Sequence, residues 1–205
     1  VISTGLDKLT TAQTLAKLGL QVPWTTLVQD EPPRKLPCIL KSRTGSGSRT
    51  VFTLSDDEDV FYFSKRYPDA IYQELLEPAD MEVTCAVYRT NDNQVAVLQM
   101  LRRLVGGFTG WAKIIDNSAI MNTCKTIAEG LDLQGSMNVQ LRLTDNGPRV
   151  FEINPRFSST TLMRHQLGFS DVQWAVSEVV GKPVTIPKIQ AGQIIVRVQS
   201  AAVIN

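Results

Sequence analysis

The chain has almost no net charge and very few cysteine and histidine residues. It carries 21 Lys and Arg against 20 Asp and Glu, with three cysteines and one histidine in 205 residues. The balanced charge gives no electrostatic reason to expect binding to nucleic acid or to an anionic membrane. Cys38, Cys85 and Cys124 are scattered, without a CxxC pair. We therefore expect buried thiols in a reducing cytoplasm rather than disulfides or a zinc site.

The sequence also lacks a long apolar run. No uninterrupted stretch approaches the roughly 20 residues that a membrane-spanning helix needs. The hydrophobic content of 43% is nevertheless sufficient for a core, and the length suits one large domain or two small lobes. The chain begins Val1-Ile2, which resembles neither a signal peptide nor a natural initiator. We therefore expect an excised fragment.

Apolar spacing and turn residues predict an α/β organisation without internal repeats. Helices are predicted over residues 9–18, 56–66, 117–131 (capped by Asp116 or Asn117), 161–167 and 172–180. Strands are predicted over residues 25–28, 37–41, 51–54, 70–76, 82–90, 94–105 and 193–199, besides a hairpin within 135–156. The glycine-rich stretch 106–110 is predicted to be flexible.

That hairpin carries oxygen-bearing side chains at alternate positions. Asn138 and Gln140 share one face of its first strand, and Glu152 and Asn154 share one face of its second, because successive side chains point to opposite faces. The Asn-Gly pair between the strands is a strong hairpin signal. One carboxylate among amide oxygens, with room for water and phosphate, suits Mg²⁺. A solvated polar face of an amphipathic hairpin would show the same pattern.

The register of the hairpin decides whether the magnesium hypothesis survives. A three-residue loop over 145–147 would set Gln140 opposite Glu152 and Asn138 opposite Asn154. A two-residue loop would shift the pairing by one residue and turn the two sets to opposite faces. The magnesium hypothesis therefore predicts the three-residue loop or a compensating bulge.

A second candidate site joins a lysine to a glycine-rich loop. Lys41 ends a compact apolar strand, and residues 44–48 then supply hydroxyls and backbone N–H groups. These are the parts needed to cover a polyphosphate. The stretch matches neither GxxxxGK[ST] nor GxGxxG, and an ordinary mobile hairpin loop would have the same composition.

A third candidate is the strand end at 72–76, followed by Glu82. A strand that ends and bends can offer backbone groups to a base edge and a carboxylate to ribose hydroxyls. An edge strand with solvated glutamates would look the same.

With these three candidate sites in this order along the chain, the sequence resembles the ATP-grasp superfamily. Within it, the sequence is most similar to the ATP-binding domains of the carbamoyl-phosphate synthase large subunit and related small ligases. The resemblance covers residues 7–181, nearly the whole chain. It is carried by four motifs: Asp7-Lys8 with Gly19 to Pro23, strand 37–41 with loop 45–48, Gln73-Glu74 with Glu82-Val83-Thr84, and Asn138-Val139-Gln140 with Glu152 to Arg156. Ser42 stands where proline is usual in the family, and Thr50 where glycine is usual.

The resemblance implies a set of nucleotide-binding residues. The phosphates of ATP would be held by Lys8, Lys41, Ser46, Gly47 and Ser48. The adenosine would be bound by Glu74, Leu75 and Leu76 at the base and by Glu82 at the ribose.

It also implies metal-binding and catalytic residues. Mg²⁺, with Mn²⁺ as an alternative, would be coordinated by Gln140, Glu152 and Asn154, and Glu152 would bridge two ions. Asn138 and Arg156 would contact the transferred phosphoryl group or the acylphosphate. Arg102, Arg103 and Lys113 are candidates for an anionic acceptor, or are solvated cations around a loop.

The implied fold is α+β, with two lobes of mostly antiparallel sheet enclosing Mg-ATP. We divide the chain into an amino-terminal helix-containing segment (1–36), a small lobe (37–76) and a large lobe (77–205). The implied activity is a carboxylate–amine or carboxylate–ammonia ligase that works through an acylphosphate. A kinase-like phosphotransferase on the same fold and a nucleotide-binding module without turnover are the alternatives.

The resemblance implies partners as well. These are a small-molecule carboxylate, an amine or ammonia, and a preceding amino-terminal domain, because family members carry another α/β domain before the Asp-Lys motif. A homodimer is one option for the assembly. The identity of the acid and of the amine lies beyond the sequence.

Overall fold

The structure is a computed structural model that describes residues 1–45 and 50–198. Its helices are α1 (Ile2–Leu6), α2 (Lys8–Lys17), α3 (Asp57–Arg66), α4 (Ser118–Gly130), α5 (Thr161–Gln166) and α6 (Asp171–Val179). Its strands are β1 (Thr25–Leu27), β2 (Cys38–Ser42), β3 (Val51–Leu54), β4 (Ala70–Glu74), β5 (Glu82–Arg89), β6 (Val95–Val105), β7 (Phe108–Ile115), β8 (Gly135–Thr144), β9 (Gly147–Asn154) and β10 (Ile194–Val196). Within the described ranges, no helix combines the length and the apolar character needed to cross a bilayer.

The described strands form two antiparallel sheets. The smaller has the order β1-β4-β2-β3, and the larger has the order β10-β7-β6-β5-β8-β9. The predicted α+β fold with mostly antiparallel sheets is thereby confirmed. The segment 1–36 contributes to both sheets. Its strand β1 pairs with β4 of the smaller sheet, and Leu15 of its helix α2 packs in the core of the larger sheet.

One face of the larger sheet packs against α4 and α2. Val83 and Cys85 of β5 point to this face with Val139 of β8, and they pack against Ile120 and Cys124 of α4. All three cysteines are free and buried, as predicted.

The opposite face of the larger sheet is apolar toward one end of its strands and polar toward the other. Ala86 and Tyr88 at one end of β5 pack with Phe169 and with Trp174 of α6. Thr84, toward the start of β5, points to the same face by strand alternation. At that end the face carries the polar row of β8 and β9, which is thus left available for a cleft.

Two elements differ from the sequence-based expectation. Residues 106–110 were expected to be flexible, but only Gly106 and Gly107 form a turn, with φ of 58° and 81°. Strand β7 starts at Phe108 and pairs with both β6 and β10. The alternation of Ala112 and Ile114 into the core supplies the strand's apolar face, and the adjoining glycines masked that signal.

Helix α1 was also not predicted. It is five residues long and buries no residue fully, so it is too short to show a helical apolar pattern. It lies against the end of β9, where a Cβ on Gly5 would come within 2.3 Å of Pro155 Cδ. The absence of a side chain at Gly5 therefore permits this close approach. The cap of α4 is Asn117, whose side chain accepts from the Ile120 amide.

Candidate functional site

The register of the β8–β9 hairpin is the one that the magnesium hypothesis requires. The loop has two residues, because Thr144 pairs with Gly147. A bulge between Gln140 and Leu141 then shifts the ladder, so that Gln140 faces Glu152 and Asn138 faces Asn154. A bulge places two residues of one strand opposite one of its partner. Of the two geometries that satisfy the hypothesis, the structure uses the compensating bulge.

The aligned row forms the floor of a cavity of about 740 Å³ between the two sheets. From the larger sheet the lining includes Thr84, Arg102, Asn138, Gln140, Glu152 and Asn154. From the amino-terminal helix and the smaller sheet it includes Lys8, Lys41 and Ser42. The lining also includes Arg156 and the hydroxyl-bearing residues Ser158, Ser159 and Thr160. Lys8 and Lys41, two of the residues predicted for phosphate, thus line the same cavity as the residues predicted for the metal and for phosphoryl transfer.

Lys41 connects the two sheets across this cavity. Its side chain is 6% exposed, and its Nζ donates to the carbonyl oxygen of Phe151 at 3.3 Å. Phe151 is the extra residue of the bulge, so its carbonyl lies outside the regular ladder. Burial lowers the pKa of Lys41 to about 8, although the nearby charge of Glu152 opposes the shift. At neutral pH the side chain remains mostly a cation.

Lys8 is placed by the cap of α2. The Asp7 carboxylate accepts from the backbone amides of Leu9 and Thr10 at 2.9 and 3.0 Å and from Arg43 Nε at 2.7 Å. Burial raises the pKa of Asp7, but the Arg43 contact and the amide hydrogen bonds outweigh it and hold the pKa below its usual value. Lys8 Nζ donates to the Gly45 carbonyl at 2.9 Å. Asp7 therefore fixes Lys8 at the edge of the loop that follows β2.

The amide of Asn138 is oriented by a buried neighbour. Thr84 Oγ1 donates to Asn138 Oδ1 at 2.9 Å, and both residues are buried. With its oxygen engaged in this way, the amide has its two N–H donors left for another acceptor. An anionic oxygen in the cavity is a suitable acceptor.

Glu152 and Asn154 suit a hard cation. Asn154 Nδ2 donates to Glu152 Oε1 at 2.9 Å, and Arg156 donates to Asn154 Oδ1 at 3.4 Å. Carboxylate and amide oxygens are preferred Mg²⁺ ligands. The described residues contain no cluster of three His, Cys, Asp or Glu side chains that could hold a metal, so a cation here would depend on amide and substrate oxygens as well as on Glu152.

Glu82 is engaged by two arginines rather than facing the cavity. Arg102 donates to its Oε1 from Nε at 2.9 Å and from a terminal nitrogen at 2.7 Å, and Arg142 contacts its Oε2 at 3.2 Å. The same terminal nitrogen of Arg102 donates to Gln140 Oε1 at 2.8 Å. Arg102 thereby links the predicted ribose ligand to a predicted metal ligand.

The adenosine residues lie outside the lining of this cavity. Glu74 forms a two-pronged ion pair with Arg149, at 2.7 and 2.8 Å, and also accepts from the Trp24 amide. Leu76 is buried and Leu75 is partly buried. Their role at adenine stays a prediction. Ser46, Gly47 and Ser48 lie outside the described residues.

Sequence reasoning missed the supporting residues. Arg102 was named only as a candidate for an acceptor, and its contacts within the row were not foreseen. Arg164 is fully buried and pairs with Asp171 at 2.9 Å through Nε, and it also donates to Ser158 Oγ at 2.8 Å. No local pattern identifies such partners, because they are distant in sequence or lie on different elements.

The two sheets enclose a cavity whose described lining contains four cationic side chains and one carboxylate. A model of the ATP-grasp domain matches residues 6–160. The chain belongs to the ATP-grasp family. A comparison with curated proteins found no match.

Several solved structures share the fold. One is N5-carboxyaminoimidazole ribonucleotide synthetase in complex with ADP, with a TM-score of 0.76, 18% identity and coverage of 94% of this chain and 55% of that chain. The carboxyaminoimidazole ribonucleotide synthase of Aspergillus clavatus in complex with ATP matches with a TM-score of 0.77 and 16% identity, and the match covers 94% of this chain and 56% of that chain. The L-amino acid ligase of Bacillus licheniformis matches with a TM-score of 0.71 and 17% identity, and the match covers 87% of this chain and 48% of that chain. The chain therefore spans about half the length of the structures that it matches.

Proposed function

We propose that this chain is the ATP-binding part of an ATP-dependent carboxylate–amine or carboxylate–ammonia ligase. The observation that carries the proposal is the cavity itself. Lys41 of the smaller sheet reaches the bulge of β9, beside the aligned row of Asn138, Gln140, Glu152 and Asn154. Membership of the ATP-grasp family and the resemblance of the fold to ligases support it.

In this proposal each group of residues, in the cavity or beside it, has one task. Lys8 and Lys41 bind the phosphates of ATP, with Ser46, Gly47 and Ser48. Glu74, Leu75, Leu76 and Glu82 bind the adenosine. Mg²⁺, or Mn²⁺ in its place, is held by Gln140, Glu152 and Asn154, and when bound it neutralises charge on the phosphates.

Asn138 and Arg156 are the proposed catalytic residues. They donate to the oxygens of the phosphoryl group as a substrate carboxylate oxygen attacks it, which stabilises the charge that develops there. ADP leaves, and an amine or ammonia then attacks the carbonyl carbon of the acylphosphate and releases phosphate. No nucleophile from the protein is required.

The narrower assignment, to a protein like carbamoyl-phosphate synthase, is also proposed and rests on the motif order between residues 7 and 181. With it we propose a cytoplasmic location, a preceding amino-terminal domain as partner, and a homodimer as one option for the assembly. The division into segments 1–36, 37–76 and 77–205 remains our description of the domain plan.

Product analysis on the full-length parent protein tests the function. A panel of small carboxylic acids is combined with amines or ammonia in the presence of Mg-ATP. A ligase releases phosphate only when both an acid and an amine are present. A stable phosphorylated acceptor would indicate a phosphotransferase instead, and ATP binding without ADP formation would indicate a nucleotide-binding module.

A further inference from the structure

The cavity contains far more fixed positive charge than negative charge. Among its described lining residues, the cationic side chains are Lys8, Lys41, Arg102 and Arg156, and the single carboxylate is Glu152. A polyanionic ligand would therefore find much of its charge balanced by the protein. Such a site has less need of divalent cations than one lined by several carboxylates.

Arg102 is held firmly among these cations. Its side chain is 11% exposed. Two of its nitrogens contact Glu82 Oε1, and Arg142 contacts the other oxygen of the same carboxylate. Since two guanidinium groups share Glu82, that carboxylate is not free to serve as a metal ligand.

Arg102 also contacts the oxygen that a metal would need. Its terminal nitrogen donates to Gln140 Oε1 at 2.8 Å, so the guanidinium lies where a cation coordinated by Gln140 would have to approach. Gln140 is a neutral amide and brings no charge to offset the repulsion between a guanidinium and a divalent ion. Glu152 and Asn154 contact each other and make no hydrogen bond to Arg102 in the described structure. Arg156 donates to Asn154 Oδ1, but at 3.4 Å, a longer and weaker contact than the 2.8 Å between Arg102 and Gln140.

We propose that Arg102 takes the place of a second divalent cation. The chain then binds its nucleotide with one Mg²⁺, at Glu152 and Asn154, while the Arg102 guanidinium supplies the positive charge beside Gln140. Arg102 is a positioning residue for the phosphates. Gln140, which the proposed function assigns to the metal together with Glu152 and Asn154, orients Arg102 instead, so the inference narrows the metal ligands to Glu152 and Asn154. The inference rests on the proposed function, which requires nucleotide binding.

The test counts Mn²⁺ ions bound with a non-hydrolysable ATP analogue. Electron paramagnetic resonance of free Mn²⁺ gives the metal count, and equilibrium dialysis of the analogue gives the nucleotide count. The 205-residue chain is expected to bind one Mn²⁺ per bound analogue. Arg102→Met, which opens the space beside Gln140, is expected to bind two.

Arg142→Met is the matched control, because Arg142 also pairs with Glu82 but, among the described residues, makes no hydrogen bond to Gln140. It is expected to keep a count of one. Two Mn²⁺ per analogue in the wild-type chain would overturn the inference, and this measurement does not depend on any variant folding. A count of one in a folded Arg102→Met chain would also overturn it. A wild-type chain that binds no analogue at any Mn²⁺ concentration would overturn the proposed function as well.

Discussion

At the scale of single residues, Glu152 is distinguished by being the one carboxylate in the described lining of the cavity. It is partly buried, and its described side-chain contact is with Asn154. It is thus available to a cation without being needed for the core. Its neighbours in the row are amides, which bind metals more weakly when no carboxylate accompanies them.

Glu152→Gln is expected to weaken Mg²⁺-dependent ATP binding while leaving the fold intact. Even outer-shell partners of metal ligands are worth ~10–100-fold in metal affinity, so the loss here should reach at least about tenfold. Titration calorimetry with and without Mg²⁺ measures it. Glu129→Gln, on the exposed side of α4, is the control. Unchanged Mg²⁺-dependent affinity would count against the assignment of Glu152.

Lys41→Ala is expected to reduce the affinity for ATP far more than that for adenosine. A hydrogen bond to a charged group contributes ~1.5–3 kcal/mol, which is roughly a 10- to 150-fold change in the dissociation constant. Lys41→Met retains most of the buried volume and separates lost charge from lost packing. Equal losses for ATP and adenosine would contradict a role at the phosphates.

At the scale of elements, the bulge in β9 has two effects. It turns Glu152 toward the cavity despite the two-residue loop, and it frees the Phe151 carbonyl for Lys41. Strand β9 is an edge strand of the larger sheet, and edges are where bulges are common. One inserted residue thereby connects the metal row to a lysine of the other sheet.

Deletion of Phe151 separates these effects. The ladder runs from the pair of Leu141 and Val150 to the pair of Gln140 and Glu152, so a chain lacking Phe151 can keep both pairs without a bulge. We expect Mn²⁺ binding to persist while ATP affinity falls about as much as in Lys41→Ala. Phe151→Ala, which retains the carbonyl, should lose much less. A deletion variant with unchanged ATP affinity would show that the carbonyl does not position Lys41.

At the scale of the whole molecule, the side-chain hydrogen bonds between described strands join the two sheets at two places. One is the bond from Lys41 to Phe151, and the other is the ion pair of Glu74 on β4 with Arg149 on β9. Arg149 also donates to the Val22 carbonyl at 2.6 Å. The pair is 26% and 20% exposed, so it is screened less than a surface pair.

Glu74→Gln and Arg149→Met are each expected to lower the free energy of unfolding by ~1–3 kcal/mol, because each leaves a partly buried group without its partner. The double variant should lose less than the sum, since both changes remove one interaction. Chemical denaturation measures all three. Additive losses would mean that the pair does not act as a unit. A fall in adenosine affinity in Glu74→Gln alone would support the predicted adenine role.

The sequence was most informative where the signal is local. Asp7 and Asn117 act as helix caps, and the alternation around Asn138 and Glu152 predicted a hairpin with one polar face. Strand β7 was missed because its first residues lie beside glycines. The contacts of Arg102 were missed because a guanidinium on one strand shows no preference, in sequence, for a partner on another.

The sequence by itself determined the order of the motifs, the chemical types of the cavity's side chains and the polar row on the hairpin, because all of these depend on neighbours close in the chain. Only the tertiary structure decided how the row is used. It introduced the bulge, it brought Lys41 to the Phe151 carbonyl, and it set Arg102 between Glu82 and Gln140. These contacts join residues from different strands, so their energies depend on the packing of two sheets and not on any local pattern.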